Sequence, residues 1–182
     1  MIARSVGAAA CVAALVVPLA AHARAPQAGE ESAHTTAQRA MGELTAVRGM
    51  TADRQAGKQL DLAIDRMLRS LQLDLWTDVN HVDSKRGERV FSEEREALAI
   101  LRGLGGKKIE TPPPALLVLS ARLAQVLRTL ASVAAADAQR AGDAVAARKA
   151  LDDIGKGDRD VLSARFTNAA DHYYAAWARL RR

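Results

Sequence analysis

Apolar residues recur at three- and four-residue steps along most of this chain, which is the spacing of one face of an α-helix. The strongest stripe predicts a single helix over residues 52–75, because charged residues occupy its other side. Its apolar members are Ala56, Leu60, Ala63, Ile64, Met67, Leu68, Leu71 and Leu75. A weaker pattern over residues 32–47 ends at Gly49 and predicts a short first helix that docks loosely.

Four more helices follow from capping residues and periodicity. Ser92 is a typical N-cap residue, and Glu93 and Glu94 suit the first turn of a helix that begins there and ends near Gly103. Proline residues precede the longest predicted helix, over residues 115–141, where a missing backbone N–H does no harm. A fifth helix is predicted over residues 143–162.

The last predicted helix covers residues 167–181 and has the most regular register. Gly155 and Gly157 are expected to interrupt the fifth helix locally, because glycine weakens helix interiors.

Aromatic residues make up only 3% of the chain, and β-branched residues form no alternating runs. The fold class predicted is therefore all-α: an up-and-down bundle of about five to six helices with no sheet.

The first 23 residues have the layout of a secretory signal peptide. Arg4 lies before an apolar run over residues 6–21, and Ala21-His22-Ala23 is a small-x-small cleavage site. The run is shorter than the roughly 20 apolar residues of a membrane-spanning helix. We expect Sec-type export of a bacterial protein to the periplasm or medium, with cleavage after Ala23 and no transmembrane segment in the mature chain. Residues 24–31 are predicted to be a disordered tether and residues 32–182 a single domain.

Charge and cysteine content narrow the function classes. The chain has 26 Lys and Arg against 21 Asp and Glu, a net charge of +5, which falls to +4 when Arg4 is removed. Basic and acidic residues are interleaved, so no nucleic-acid partner is predicted. The single cysteine, Cys11, lies in the predicted leader, so we expect no disulfide. Arg179, Arg181 and Arg182 form a cationic end that either contacts an anionic surface weakly or complements the end of the last helix.

Residues 76–87 form a polar stretch without helical period, here named the 76–87 loop. It gathers four ligand-type side chains within six positions, namely Asp78, Asn80, His81 and Asp83. A calcium loop is not matched, because Val82 stands at its fifth position and Arg89 at its twelfth, where a bidentate Glu belongs. Two interpretations stay open: turn chemistry, with His81 packed or solvated, and a small-ligand or metal site.

No other motif indicates catalysis. His172 has no histidine or carboxylate four residues away on its helix, and His34 is expected to be exposed to solvent. Neither zinc nor any other cofactor is predicted. The sequence contains no nucleophile elbow and no phosphate-binding loop, so no catalytic residue is assigned. The sequence therefore favours a non-catalytic protein over an enzyme.

Two groups of motifs resemble uncharacterised, exported, all-helical bacterial domains. The first is a W-x-D-x-N-H-x-D loop, from Trp76 to Asp83. The second is a D-H-Y-x-x-A-W final helix, from Asp171 to Trp177. The resemblance implies a helical bundle outside the cytoplasm and supplies no catalytic residue. One departure is Ala164-Arg165-Phe166 at the last interhelical turn, where a Gly-Asp-Tyr-like turn is more usual.

These observations predict an exported, non-catalytic helical protein that binds or scaffolds an unknown protein or envelope component. The alternative is a periplasmic protein that binds a small ligand or metal, with its site in the 76–87 loop.

Overall fold

The computed structural model describes residues 31–104 and 114–181, and over these residues the chain is an all-α bundle of six helices without a sheet. The predicted fold class is thereby confirmed. The predicted signal peptide and most of the predicted tether lie outside the described residues. The helices are α1 (Ala33–Met50), α2 (Arg54–Ser70), α3 (Glu88–Leu104), α4 (Pro114–Arg140), α5 (Ala144–Leu162) and α6 (Phe166–Ala178), with a 3-10 helix at Leu73–Leu75.

Helix α1 packs firmly, so the expectation of loose docking is wrong. Ser32 caps it by accepting the backbone N–H of Thr35 at 3.2 Å. One face of α1 is fully buried against its main neighbour, α4, and against α2. Because most residues of that face are alanines, the backbones can approach closely. Its members are Ala33, Ala37, Ala40 and Leu44.

Helix α2 ends at Ser70, five residues before its predicted end, because the chain turns to bring Trp76 back to it. The indole Nε1 of Trp76 donates to the carbonyl oxygen of Ser70 at 2.7 Å, which satisfies one of the free carbonyls at the helix end. Leu68, predicted to be buried, is 53% exposed, and Leu73 in the following 3-10 helix is 80% exposed.

Helix α3 begins at Glu88, so the predicted N-cap at Ser92 is wrong. The preceding turn lets the helix start earlier, because the Asp83 carboxylate accepts the backbone N–H groups of Lys85 and Arg86. Glu94 consequently lies in the second turn, facing α2, and is completely buried.

Helix α4 is the centre of the bundle and packs against α1, α5 and α6. Its predicted bounds are confirmed to within one residue. It is also the one helix in the described part that is long and apolar enough to cross a membrane, although 61% of its most apolar window is buried inside the bundle. Burial of that kind is typical of the central helix of a bundle, so this feature needs no membrane to explain it.

Helices α5 and α6 form a closely packed antiparallel pair. Helix α5 is continuous through Gly155 and Gly157, so the predicted interruptions are wrong. A Cβ atom on Gly157 would lie 2.4 Å from Cε1 of Tyr173, so this glycine makes room for the aromatic ring. Ala164, between the helices, has a φ of 54°, a left-handed conformation that favours glycine.

Candidate functional site

The 76–87 loop is a compact turn held by its own backbone. Trp76 and Val82 form an isolated antiparallel bridge, and the Asp83 N–H donates to the carbonyl of Leu75 at 2.9 Å. A Cβ atom on Gly87 would lie 2.5 Å from Cγ2 of Val82 and 2.6 Å from the carbonyl oxygen of Asp83, so no side chain fits there. The backbone of the loop is therefore fixed, and its polar side chains project from fixed positions.

Asn80 joins the loop to the N-terminus of α1. Its Oδ1 accepts the backbone N–H of Ala33 at 2.8 Å, and the carbonyl of Val79 accepts the N–H of His34 at 3.0 Å. These contacts satisfy two donors that the first turn of a helix leaves free. The His34 ring meets Trp76 edge to face, with 4.9 Å between ring centroids, and is half-buried. The expectation that His34 is exposed to solvent is wrong.

Asp83 serves the turn before α3. Its Oδ1 accepts the N–H groups of Lys85 at 2.9 Å and Arg86 at 2.8 Å. These backbone hydrogen bonds lower the pKa of Asp83 below its usual range. Asp83 therefore acts in turn formation, which is one of the two interpretations that the sequence left open.

His81 lies between two carboxylates, one from its own loop and one from α4. Its Nδ1 is 2.7 Å from Oδ2 of Asp78, and its Nε2 is 2.8 Å from Oδ2 of Asp137. Partial burial opposes a charge on the ring, but the contacts to Asp78 and Asp137 outweigh it and raise the pKa of His81. In Asp78, hydrogen bonds from Asn80 and His81 outweigh desolvation, and its pKa is lowered.

A shallow cavity of about 240 Å³ opens beside His81. The loop, the second half of α4 and the end of α6 form its walls. Its polar lining includes His81 and Asp137, and its apolar lining includes Ala138 and Trp177. A cavity of this size admits a small amphipathic molecule, but it is smaller than the roughly 300–1,000 Å³ of typical ligand pockets.

Sequence reasoning named all four polar residues of the loop but missed Asp137 of α4, which contacts His81. The one available signal was that Asp137 is the single acidic residue of α4. Within the described ranges, no group of three or more His, Cys, Asp or Glu residues is arranged to hold a metal ion. Because both ring nitrogens of His81 already contact carboxylates, a metal at this residue would have to displace one of them.

Tyr173, in the D-H-Y-x-x-A-W motif of the final helix, also helps to hold helices together. The phenol of Tyr173 donates to Oδ1 of Asp158 at 2.8 Å, and Arg128 of α4 binds the same carboxylate through Nε at 2.8 Å and Nη2 at 3.1 Å. Desolvation and the Asp158 charge raise the pKa of Tyr173. The network ties α4, α5 and α6 together across the bundle, next to the close contact at Gly157.

The basic side chains at the end of α6 are paired with acidic ones. Arg179 lies 3.0 Å from Asp153, and Arg181 lies 2.8 Å from Glu88 and 5.6 Å over the ring of Trp177. Arg182 lies outside the described residues. The pairing lowers the net positive charge that Arg179 and Arg181 would present to an anionic surface.

Comparisons with protein-family models, with curated proteins and with solved structures give no match to this chain.

Proposed function

We propose that this chain is an exported, non-catalytic helical module that acts by binding or scaffolding a partner outside the cytoplasm. The observation that carries the proposal is the use of the polar residues in the 76–87 loop. Asn80 completes the N-terminus of α1, Asp83 forms the turn before α3, and His81 contacts α4. Side chains with these roles stabilise the relative positions of helices, as expected of a rigid binding module.

Export is tested by the mature N-terminus and the cell fraction of the native protein. The proposal expects a chain beginning at residue 24, recovered from periplasm or medium, since Ala21-His22-Ala23 fits signal peptidase. An intact N-terminus on a cytosolic product would contradict export without bearing on the binding role.

Partner binding is tested by site-specific photo-cross-linking in intact cells. A photoreactive residue replaces Leu73 or Val145, which are 80% and 69% exposed and lie on different elements. A binding module gives a discrete adduct at some positions and none at others, and excess unlabelled protein removes the adduct. A matched probe at the buried Leu123 serves as the control. Absence of any adduct over a full scan of exposed positions would contradict the binding role.

The second candidate function is a small-ligand or metal-binding protein with its site at the loop. The cavity of about 240 Å³ beside His81 favours it, because an imidazole, a carboxylate and apolar groups share one surface there. Calorimetric titration with zinc, and thermal-shift measurements with small carboxylates and amines, test it. Stoichiometric binding that is lost in His81→Ala and kept in His172→Ala would rank this candidate first.

A weak contact of the cationic end with anionic lipid or cell-wall polymer has less support, because Arg179 and Arg181 are paired. Sedimentation with anionic liposomes tests it: binding should weaken from low to high salt.

A further inference from the structure

The positions of the two carboxylates around His81 indicate which protonation state of its ring fits the structure. Asp78 lies 2.7 Å from Nδ1, and Asp137 lies 2.8 Å from Nε2. A neutral imidazole has one N–H and one lone pair, so it can donate to only one of these carboxylates. The imidazolium has two N–H groups and fits both. The observed arrangement is therefore that of a protonated His81.

Other charged or titratable groups near the loop lie on α4, after α6, on α3 and on α1. Arg140 of α4 pairs with Asp137. Arg181, after α6, lines the same cavity and pairs with Glu88 of α3. Helix α1 contributes His34, whose ring faces Trp76 of the loop. The two carboxylates in direct contact with the imidazole thus determine its charge.

We propose that the contact between His81 and Asp137 is a proton-dependent link that joins the 76–87 loop to α4 and opens when His81 loses its proton. When His81 loses its proton, one ring nitrogen carries a lone pair in place of its N–H. That lone pair faces a carboxylate, so the contact becomes repulsive. Asp78 stays in place because its Oδ1 also accepts the N–H of Asn80 at 2.7 Å. Asp137 can turn away from His81 and keep a charge partner, since its Oδ1 is already paired with Arg140.

The opening is local. Asn80 and Val79 keep their hydrogen bonds to α1, and the Trp76 indole keeps its hydrogen bond to Ser70. None of these hydrogen bonds involves the His81 ring, so they do not change when it loses its proton. The change therefore affects the His81 side of the loop and widens the cavity that His81 and Asp137 line.

The sign of the pH dependence follows from the raised pKa of His81. The stabilisation from the link is fully present below the ordinary histidine pKa of about 6.5, and it is lost as pH rises through the higher pKa of the folded state. In an exported protein the link would respond to external pH. That consequence rests on the proposed export, whereas the link itself does not.

Nuclear magnetic resonance of the isotope-labelled protein tests the proposal. The expected result is that His81 titrates above a free histidine and that the amide signals of Asp137 and Ala138 shift with the same midpoint. Asp137→Asn should lower that midpoint and remove the shift of the Ala138 amide. Asp74→Asn, which removes an exposed carboxylate near the loop, should leave both unchanged.

Two results would overturn the proposal. One is a His81 midpoint at or below that of a free histidine. The other is a titration of His81 that leaves the α4 amides unmoved in the wild-type protein. Both readouts come from the unmodified chain, so the result does not depend on whether a variant folds.

Discussion

Replacing Glu94 with glutamine should stabilise the protein at neutral and alkaline pH. Glu94 is fully buried between α3 and α2, and its Oε1 is 3.4 Å from Oγ of Ser70. Its Oε2 has no hydrogen-bond partner among the residues that the structure describes. The Ser70 hydroxyl donates to the carbonyl of Met67 at 2.9 Å, so its single proton is already used. A protonated Glu94 can instead donate to Ser70, whereas a carboxylate would stay without a donor. Burial raises the pKa of Glu94 to about 8.

The magnitude follows from linkage. Between the unfolded pKa of 4.5 and the folded pKa of about 8, the folded state holds a proton that the unfolded chain releases. Stability therefore falls as pH rises, by about 1.4 kcal/mol per pH unit. The loss reaches about 3 kcal/mol at pH 7 and about 5 kcal/mol above pH 8. An amide avoids this loss but leaves an unpaired N–H, which costs about 1–3 kcal/mol. The net gain of Glu94→Gln above pH 8 is thus about 2–4 kcal/mol.

Urea denaturation of both proteins at each pH from 5 to 9 measures the effect. The stability difference between variant and wild type should grow with pH over this range and then level off. Other titrating groups, His81 included, are common to both proteins and cancel in the difference. Glu96→Gln on the same helix serves as the control, because it removes a carboxylate that is 45% exposed and not buried. Parallel pH profiles for wild type and Glu94→Gln would show that Glu94 ionises normally in the folded state, and the reasoning from burial would be refuted.

Three further changes test the packing, each by urea denaturation at pH 7. Gly157→Ala should lower the stability by about 1–3 kcal/mol, since the new Cβ overlaps the ring of Tyr173. The control Gly42→Ala, which has open space at its Cβ, should raise the stability by about 0.5–1 kcal/mol. Equal effects of the two changes would contradict the close contact between Gly157 and Tyr173. Ala164→Gly should stabilise by about 0.5–1 kcal/mol by relieving the left-handed conformation, and a loss would show that the turn is not strained. Asn80→Ala should cost about 1–2 kcal/mol and speed amide exchange at the start of α1, unlike Asn168→Ala on the exposed side of α6.

The helices and their approximate bounds were predictable because the signals are local. Apolar periodicity, the prolines before α4 and Gly142 after it predict elements from residues that are neighbours along the chain. Among the errors, those in the bounds of α2 and α3 concern element ends. Ser92 is a good N-cap by type, but the Asp83 turn, held by the rest of the 76–87 loop, starts α3 four residues earlier.

The loop was found as the best candidate site because four ligand-type residues are close in the sequence. What each of them binds was decided by the tertiary structure, because Asn80 reaches α1 across 47 positions and His81 reaches Asp137 across 56. Such pairs depend on the rotation of each helix about its axis and on the order of packing, neither of which leaves a local pattern.

The sequence by itself determined that this protein is helical and which helix faces are apolar, because helix periodicity and capping act over a few residues. Only the tertiary structure decided that Glu94 is fully buried, that His81 lies between two carboxylates and that Gly157 faces Tyr173. The physical reason is that burial and ion pairing are properties of the surfaces that meet when helices pack. These surfaces combine residues from distant parts of the chain.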